Sequence, residues 1–310
     1  MKYFDYLYKN NDIFEVKSLN REFLRENKTH GETNFPLAQY SFYCDMEHEL
    51  DCHWHEELEF LMITEGSGNF KIGMSEYKVS KGQAIFINSG EIHVGYALEE
   101  SCSFEAVVFD ANLLYNNDIN DEVKLKYIDP ILNRKIQLPI HIRGIEGWER
   151  EVINQLTLIA NTQYNKCFAF EMYLKARLFD IFSIILANVK TAQVEPNENA
   201  DYKKQRLKQI MEYIHLNYTK KLTLKELAAY SNMSEGHFCR FFKTMIRKSP
   251  IEYINYYRVN KAAKLLLDSS MKITDISSEV GFDNTSYFIS TFKQYINHTP
   301  SEYRKLKIRS

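Results

Sequence analysis

Glycine and proline are scarce, 11 and 6 in 310 residues, while 45% of the chain is hydrophobic. Collagen-like and disordered chains show the opposite balance, so both classes fail. Cysteine is thin as well. The five, Cys44, Cys52, Cys102, Cys167 and Cys239, are odd in number, scattered, and form no CxxC pair. That argues against a disulfide framework or a structural zinc module and suits a reducing cytosol. No apolar run approaches the about 20 residues that span a bilayer. The greasiest stretch, 178–189, is interrupted by Asp180 and preceded by Lys175 and Arg177. The first residues, MKYFDYLYKN, mix charge with aromatics and lack the apolar core of an export signal. A cytoplasmic protein with no membrane contact is expected.

What is present is a charge asymmetry hidden inside a net charge of −2. Residues 201–310 hold 20 basic and 10 acidic residues, which leaves 19 basic and 31 acidic in the first 200. Only the C-terminal part is suited to meet a polyanion; a solvated basic surface is the competing reading. The length suggests about two domains. The polar, unperiodic stretch 191–201, TAQVEPNENAD, reads as their linker.

The basic part repeats itself. Ser234–Lys243 reads SEGHFCRFFK, Asn284–Lys293 reads NTSYFISTFK, and the echo continues in Pro250-Ile-Glu-Tyr253 and Pro300-Ser-Glu-Tyr303, all at an offset of 50. Helix signals fill both copies. Leu207, Ile210, Met211 and Ile214 follow the spacing of one buried helical face. Thr223-Leu-Lys-Glu226 has capping-box form and opens a short helix to about Tyr230. Ser234 caps the next, which should bury Phe238, Phe241, Phe242 and Met245. Ser249 with Pro250 starts a longer one. In the second copy Thr274 opens the short helix, Gly281 makes the turn, Asn284 caps a helix burying Phe288, Phe292 and Tyr295, and Thr299-Pro-Ser-Glu302 caps the last.

Two short helices and a tight turn, with the second helix basic, describe a helix-turn-helix, whose second helix enters the major groove. If the apolar positions point inward, Gly236, Cys239, Arg240 and Lys243 point outward in the first copy, and Ser286, Ile289, Ser290 and Lys293 in the second, with Thr285 and Tyr287 beside them. Arg240 is the best base reader, because a guanidinium can bond guanine O6 and N7 together. Lys243 and Lys293 suit phosphate. His237 completes the expected DNA-binding set.

Over residues 206–305 this pattern resembles the AraC/XylS family of bacterial transcription regulators. The carriers are LTLKELAAYSNMSEGHFCRFFK and GFDNTSYFISTFK followed by TPSEYRK. The resemblance implies two helix-turn-helix subdomains joined by one long helix, here 250–267, contact with double-stranded DNA and with RNA polymerase, and activation rather than repression. It places Gly236, Cys239 and Arg240 at base-reading positions of the first helix and Thr285, Ser286 and Ser290 at those of the second. Gly236 is smaller than usual there, and the second helix lacks Arg or Gln on its outer face, so specificity should rest mainly on the first.

Upstream, from about 35 to 110, the period changes. Runs at 58–64, 77–79, 84–87 and 102–109 are rich in Val, Ile and Phe, and turn signals separate them at Glu65-Gly-Ser-Gly68, Ile72-Gly-Met-Ser75 and Ser80-Lys-Gly82. They suggest a small barrel or jelly roll. His53-Trp-His55, Glu59 and Gly66, then Gly82 and His93, resemble the cupin pattern, with Asn88 where Pro is usual and Ala97 where Asn is frequent. Two His at alternate positions of a strand face one way. With Glu59 and His93 they form three nitrogens and one carboxylate, a divalent-metal set. In sensor domains of the resembled family such residues can instead bond one another or line an effector pocket. Pocket lining is the expectation, with no cofactor and no metal. Tyr40, Phe42, Trp54, Phe60, Phe86 and Tyr96 could line or brace it.

Between 144 and 189 two apolar stripes mark helices: Trp148, Val152, Leu156 and Ile159, then Phe170, Leu174, Leu178, Ile181 and Ile185. They serve either a homodimer interface, as in relatives, or packing against the barrel. The fold class is thus α+β and multidomain. A cupin-like sensing domain spans 1–143, a helical region 144–190, a linker 191–201, and an all-α double helix-turn-helix domain 202–310. A DNA-binding regulator controlled by a small-molecule effector, a sugar or related metabolite, is the expectation, not an enzyme. A metal-dependent cupin enzyme, an isomerase or dioxygenase fused to a DNA-binding tail, is the alternative, and a constitutive regulator without ligand a third.

Overall fold

The computed structural model describes residues 30–32, 34–45, 49–116, 120–163, 168–189 and 198–307. The first ten residues, Cys167 and linker positions 191–197 lie outside them. The chain divides into two compact units, one within Leu24–Gln205 and one containing Arg206–Ser310.

The first unit is built on β1 (Leu37–Asp45), β2 (Leu50–His53), β3 (Leu58–Ile72), β4 (Ser75–Ser80), β5 (Ala84–Ile87), β6 (His93–Phe109) and β7 (His141–Ile142). All pairings are antiparallel. The sheet runs β1-β6-β3-β5-β7, with β2 added on β6 and β4 on β3. The expected turn at Glu65–Gly68 is not a turn. β3 continues through it, and the register to β6 shifts between Ile63 and Glu65 and again between Gly66 and Gly68. Gly66 has φ +70°, and a Cβ there would sit 2.2 Å from the Ser101 carbonyl oxygen. The glycine serves a bulge and a close strand approach, not a reversal.

Both faces of this sheet are buried. Leu58, Phe60, Met62, Phe86, Val107 and Phe109 point one way and meet α1 (Gly147–Thr162) and α2 (Phe170–Asn188). Leu61, Ile63, Ile85, Ile87, Phe70 and Phe104 point the other way into a second core. The helical stripes are used up here. Val152, Leu156 and Ile159 with Leu174, Leu178, Ile181 and Ile185 all join the sheet-facing core, Trp148 and Phe170 packing half-buried at its edge. Cys102 and Cys239 carry free thiols. None of the helices is long and apolar enough to cross a membrane, among the described residues.

The second unit is helical: α3 (Glu198–Asn217) from Arg206 onward, α4 (Leu224–Tyr230), α5 (Glu235–Ile246), α6 (Pro250–Asp268), α7 (Ile273–Glu279), α8 (Thr285–Ile296) and α9 (Pro300–Lys307). α3 starts inside the expected linker, so 198–201 are helical. Glu and Ala there tolerate helix, and the stripe of Leu207, Ile210, Met211 and Ile214, all buried, anchors the rest. The expected caps of α4 and α6 form reciprocally, Thr223 with Glu226 and Ser249 with Glu252. Thr299 and Glu302 exchange the same bonds at α9. α7 departs from expectation. It begins at Ile273 after an uncapped Lys272, so Thr274 lies inside the helix, its hydroxyl bonding Asp275.

Candidate functional site

α5 and α8 are the expected reading helices. α5 buries Phe238, Phe242, Met245 and Ile246. Phe241, expected inside, is half-buried, because Ile246 one turn beyond Phe242 takes the inner position. α8 buries Phe288, Thr291 and Phe292; Tyr295, expected inside, is half-buried and its hydroxyl donates to the Glu252 carbonyl at 3.2 Å. On the outer side Gly236, His237, Arg240 and Lys243 are exposed and Cys239 is half-buried. In α8, Ser286, Tyr287, Ile289, Ser290 and Lys293 are exposed and Thr285 is half-buried. Ser234 and Asn284 cap these helices by accepting from the amides of His237 and Tyr287.

Some of the second set is already engaged. The Ser290 hydroxyl donates to the Tyr287 carbonyl at 2.9 Å, which leaves its lone pairs rather than its proton for DNA. The Tyr287 hydroxyl accepts from Asn255 Nδ2 at 2.8 Å while 51% of the residue stays exposed. Asn255 lies on α6, so this bond holds the second reading helix to the connecting one. Arg258, also on α6, donates to the carbonyls of Tyr218 and Lys220, both at 2.8 Å, and its guanidinium lies over the Phe282 ring at 5.5 Å. Asn255 and Arg258 position the surface without being on it. Only long-range contacts reveal this, so no local spacing in the sequence marks them.

The second candidate is buried. His53, His55, Glu59 and His93 are 5%, 2%, 4% and 1% exposed. Sheet pairing assembles them. His53 in β2 stands directly opposite His93 in β6. Glu59 in β3 has the parity of Leu61 and Ile63, so it points into the second core. One ligand atom from each residue lies within 4.8 Å of every other. His55 Nε2 is 3.0 Å from Glu59 Oε2, and His93 Nε2 is 3.4 Å from the same oxygen. Burial works against the Glu59 charge, but the bond to His55 and the neighbouring His93 outweigh it and hold this carboxyl well below the usual range. His30 flanks the group, its ring 5.4 Å from that of His55 and its Nδ1 3.0 Å from the Tyr40 hydroxyl. It stands far from the spaced motif, and nothing local in the sequence signals it.

The aromatics divide between the two cores. Phe60 and Phe86, expected near these histidines, sit on the opposite face and pack on Phe182 of α2, with centroids at 6.0 and 6.3 Å. β3 and β5 alternate their side chains across a sheet buried on both sides, so an aromatic can serve either core. Phe42 stacks on Phe104 at 5.0 Å, Tyr96 accepts from Asn69, and Trp54 is buried. A shallow surface cleft opens elsewhere, between the sheet and α1, and is lined by Gln39, Met62, Glu105, Leu156 and Ile159. The four residues do not border it.

Residues 227–306 match the helix-turn-helix domain family, and residues 38–115 match the AraC-like ligand binding domain family. An uncharacterized HTH-type transcriptional regulator of Bacillus subtilis, YdeC, is 29% identical over 285 residues, 91% of this chain and 96% of its own. The melibiose operon regulatory protein of Escherichia coli K12 is 24% identical over 296 residues, 89% and 92% of the two chains. Among solved structures, ToxT of Vibrio cholerae is similar at 13% identity and a TM-score of 0.40, covering 86% of this chain and 96% of its own.

Proposed function

Since the chain belongs to the AraC family of helix-turn-helix transcriptional regulators, a non-enzyme family, and carries an AraC-like ligand-binding domain at its N-terminal side, we propose that a small-molecule effector held by His53, His55, Glu59 and His93 controls how α5 and α8 engage promoter DNA. The observation that carries this reading is the pairing of two unlike sites. One is a basic, exposed pair of capped helices; the other is a buried polar cluster inside an otherwise apolar sheet core. A buried polar group persists only where it is paired or put to use.

In this reading Gly236, His237, Cys239 and Arg240 meet bases from the first helix, with Lys243 on phosphate. Thr285, Ser286, Tyr287 and Ser290 contribute from the second, with Lys293 on phosphate. The effector is a sugar or related polar metabolite, a class suggested by the melibiose relative. Regulation is activation through RNA polymerase. Control requires the effector to bind two conformations unequally; tight binding alone shifts nothing. A homodimer completes the proposal, and it uses surfaces other than the two stripes already packed on the sheet.

The test is a footprint of the full chain on the region upstream of its own gene and its neighbours, with and without candidate sugars. Protection should span two successive major-groove segments on one DNA face, and its strength should change with one metabolite class. His55→Ala should abolish the response while sparing DNA binding. A response untouched by that substitution would remove the effector assignment. A monomer by light scattering at micromolar concentration would remove the dimer.

A further inference from the structure

Tyr287 is held more firmly than an exposed side chain needs to be. It is the third residue of α8, at the N-terminal end, where a helix in the major groove meets base edges. Half of it is exposed, and the rest is braced from behind. Its ring packs edge-on against Phe282 with centroids 5.9 Å apart, and the Arg258 guanidinium covers Phe282 in turn. Its hydroxyl oxygen accepts from Nδ2 of Asn255 at 2.8 Å. Asn255 is only 8% exposed, so it backs the hydroxyl without reaching a base itself.

The direction of that bond fixes what Tyr287 can offer. An amide NH2 only donates, so the phenol oxygen is the acceptor. With a lone pair turned to Asn255, the hydroxyl has its O–H left for a partner on the solvent side. Ser290, one turn on, has the opposite commitment, its proton being spent on the Tyr287 carbonyl. Base edges answer a lone donor differently. In the major groove guanine presents N7 and O6, adenine N7 and thymine O4, all acceptors; cytosine presents only its N4 amino group, a donor. A tyrosine free to turn its hydroxyl suits all four bases. One whose lone pair is taken does not suit cytosine, because two donors meet and one goes unpaired inside the interface.

We propose that Asn255 makes Tyr287 a donor-only reader, so that α8 accepts guanine, adenine or thymine and rejects cytosine at one position of the operator. This deepens the reading above, in which α8 lies in a major groove, and rests on it. Asn255 is a positioning residue; Tyr287 is the residue that discriminates. A single hydrogen bond is a weaker reader than a bidentate arginine, so the contact adds one exclusion to the preference carried by α5.

The test takes the full chain on its footprinted site, with each base pair under α8 changed in turn to the other three, and reads affinity by fluorescence anisotropy. At one position cytosine alone should be disfavoured, by about 3- to 10-fold, the worth of one hydrogen bond. Tyr287→Phe, which keeps the ring on Phe282, should remove that penalty and leave the other positions as they were. Asn255→Ala should remove it too, by releasing the hydroxyl to accept, and should change nothing further in the Tyr287→Phe background. Asn255→Asp should invert it: a carboxylate takes the phenol proton, the oxygen turns a lone pair to the DNA, and cytosine becomes the favoured base. If either Asn255 variant fails to fold, Tyr287→Phe decides alone. A wild-type preference for cytosine at that position, no position where cytosine alone is penalised, or a loss from Tyr287→Phe that is equal on every sequence, as a phosphate contact would give, would overturn the proposal and leave the regulator reading standing. No binding to any duplex would remove both.

Discussion

α4 and α7 are each 7 residues long, and α5 and α8 are each 12. Both reading helices end on a left-handed residue, Arg247 in one copy and Asn297 in the other. The turns between the short and long helices differ. In the first copy Asn232 is left-handed and one residue, Met233, separates it from the cap Ser234. In the second Gly281 is left-handed, and Phe282 and Asp283 both precede the cap Asn284. The outer faces differ more. The first carries His237, Arg240 and Lys243; the second carries hydroxyls, Ile289 and Lys293. The copies share Phe238 with Phe288, Phe242 with Phe292 and the side-chain caps Ser234 and Asn284 of the two longer helices, which set where those helices lie, and differ in the residues on their outer faces.

The largest effects should test whether the two scaffolds are equivalent. Phe238 and Phe288 are fully buried at the same place in each copy. Truncating either to alanine should cost about 3–5 kcal/mol, the range for a large aromatic lost from a packed core. Urea denaturation followed by circular dichroism checks it. A cost several-fold smaller in one variant would mean that the copies share a plan but not a packing quality.

A smaller effect should separate the turns. Asn232 is exposed and asparagine tolerates the left-handed region, so Asn232→Gly should stay within about 0.5 kcal/mol. Gly281 has φ +88°, and a Cβ would stand 2.5 Å from the Tyr218 carbonyl oxygen and 2.9 Å from Thr219 Cα. Gly281→Ala should cost about 1–3 kcal/mol for the backbone alone. The clash adds to that, since Arg258 holds the Tyr218 carbonyl in place. Equal melting temperatures for the two variants would show that the second turn does not lean on that loop.

The C-terminal module was largely legible because its signals are local. A cap lies within three residues of the helix it starts, and an apolar stripe repeats within one turn or two. Phe241 and Tyr295 were misplaced by one position on the helical wheel, which spacing alone cannot resolve at the edge of a stripe. The sheet was less legible. β3 is buried on both faces over Leu58–Ile63, so no polar alternation separates Phe60 from Glu59. A glycine at a bulge also looks like a glycine in a turn, which hid the continuity of β3. The spacing of His53 and His55 drew attention to the cluster, but not for the reason expected: β2 ends at His53, and His55 lies past it rather than two along the same strand. The carbonyls of Asp51, Glu57 and Glu91, which lie 2.7, 3.1 and 2.9 Å from Nδ1 of His53, His55 and His93, belong to the backbone and have no sequence signal.

The finest distinction lies between the two outer faces. Arg240 is exposed at the middle of α5 with its guanidinium free to meet a base pair edge-on. Arg240→Ala should cost about 1–3 kcal/mol on the preferred site and much less on sites altered at the base it reads, so preference relaxes. Lys293 is exposed in the last turn of α8, among hydroxyls that are partly committed to their own helix. Lys293→Ala should weaken binding to all sequences alike and lower the slope of log affinity against log salt by about one. Fluorescence anisotropy on the footprinted site and on a set of single-base variants, at several salt concentrations, reads both. Uniform losses from both variants would erase the division between a reading helix and a holding helix. Sequence-selective loss from Lys293→Ala alone would reverse it, assigning base recognition to the copy whose surface looks the less equipped.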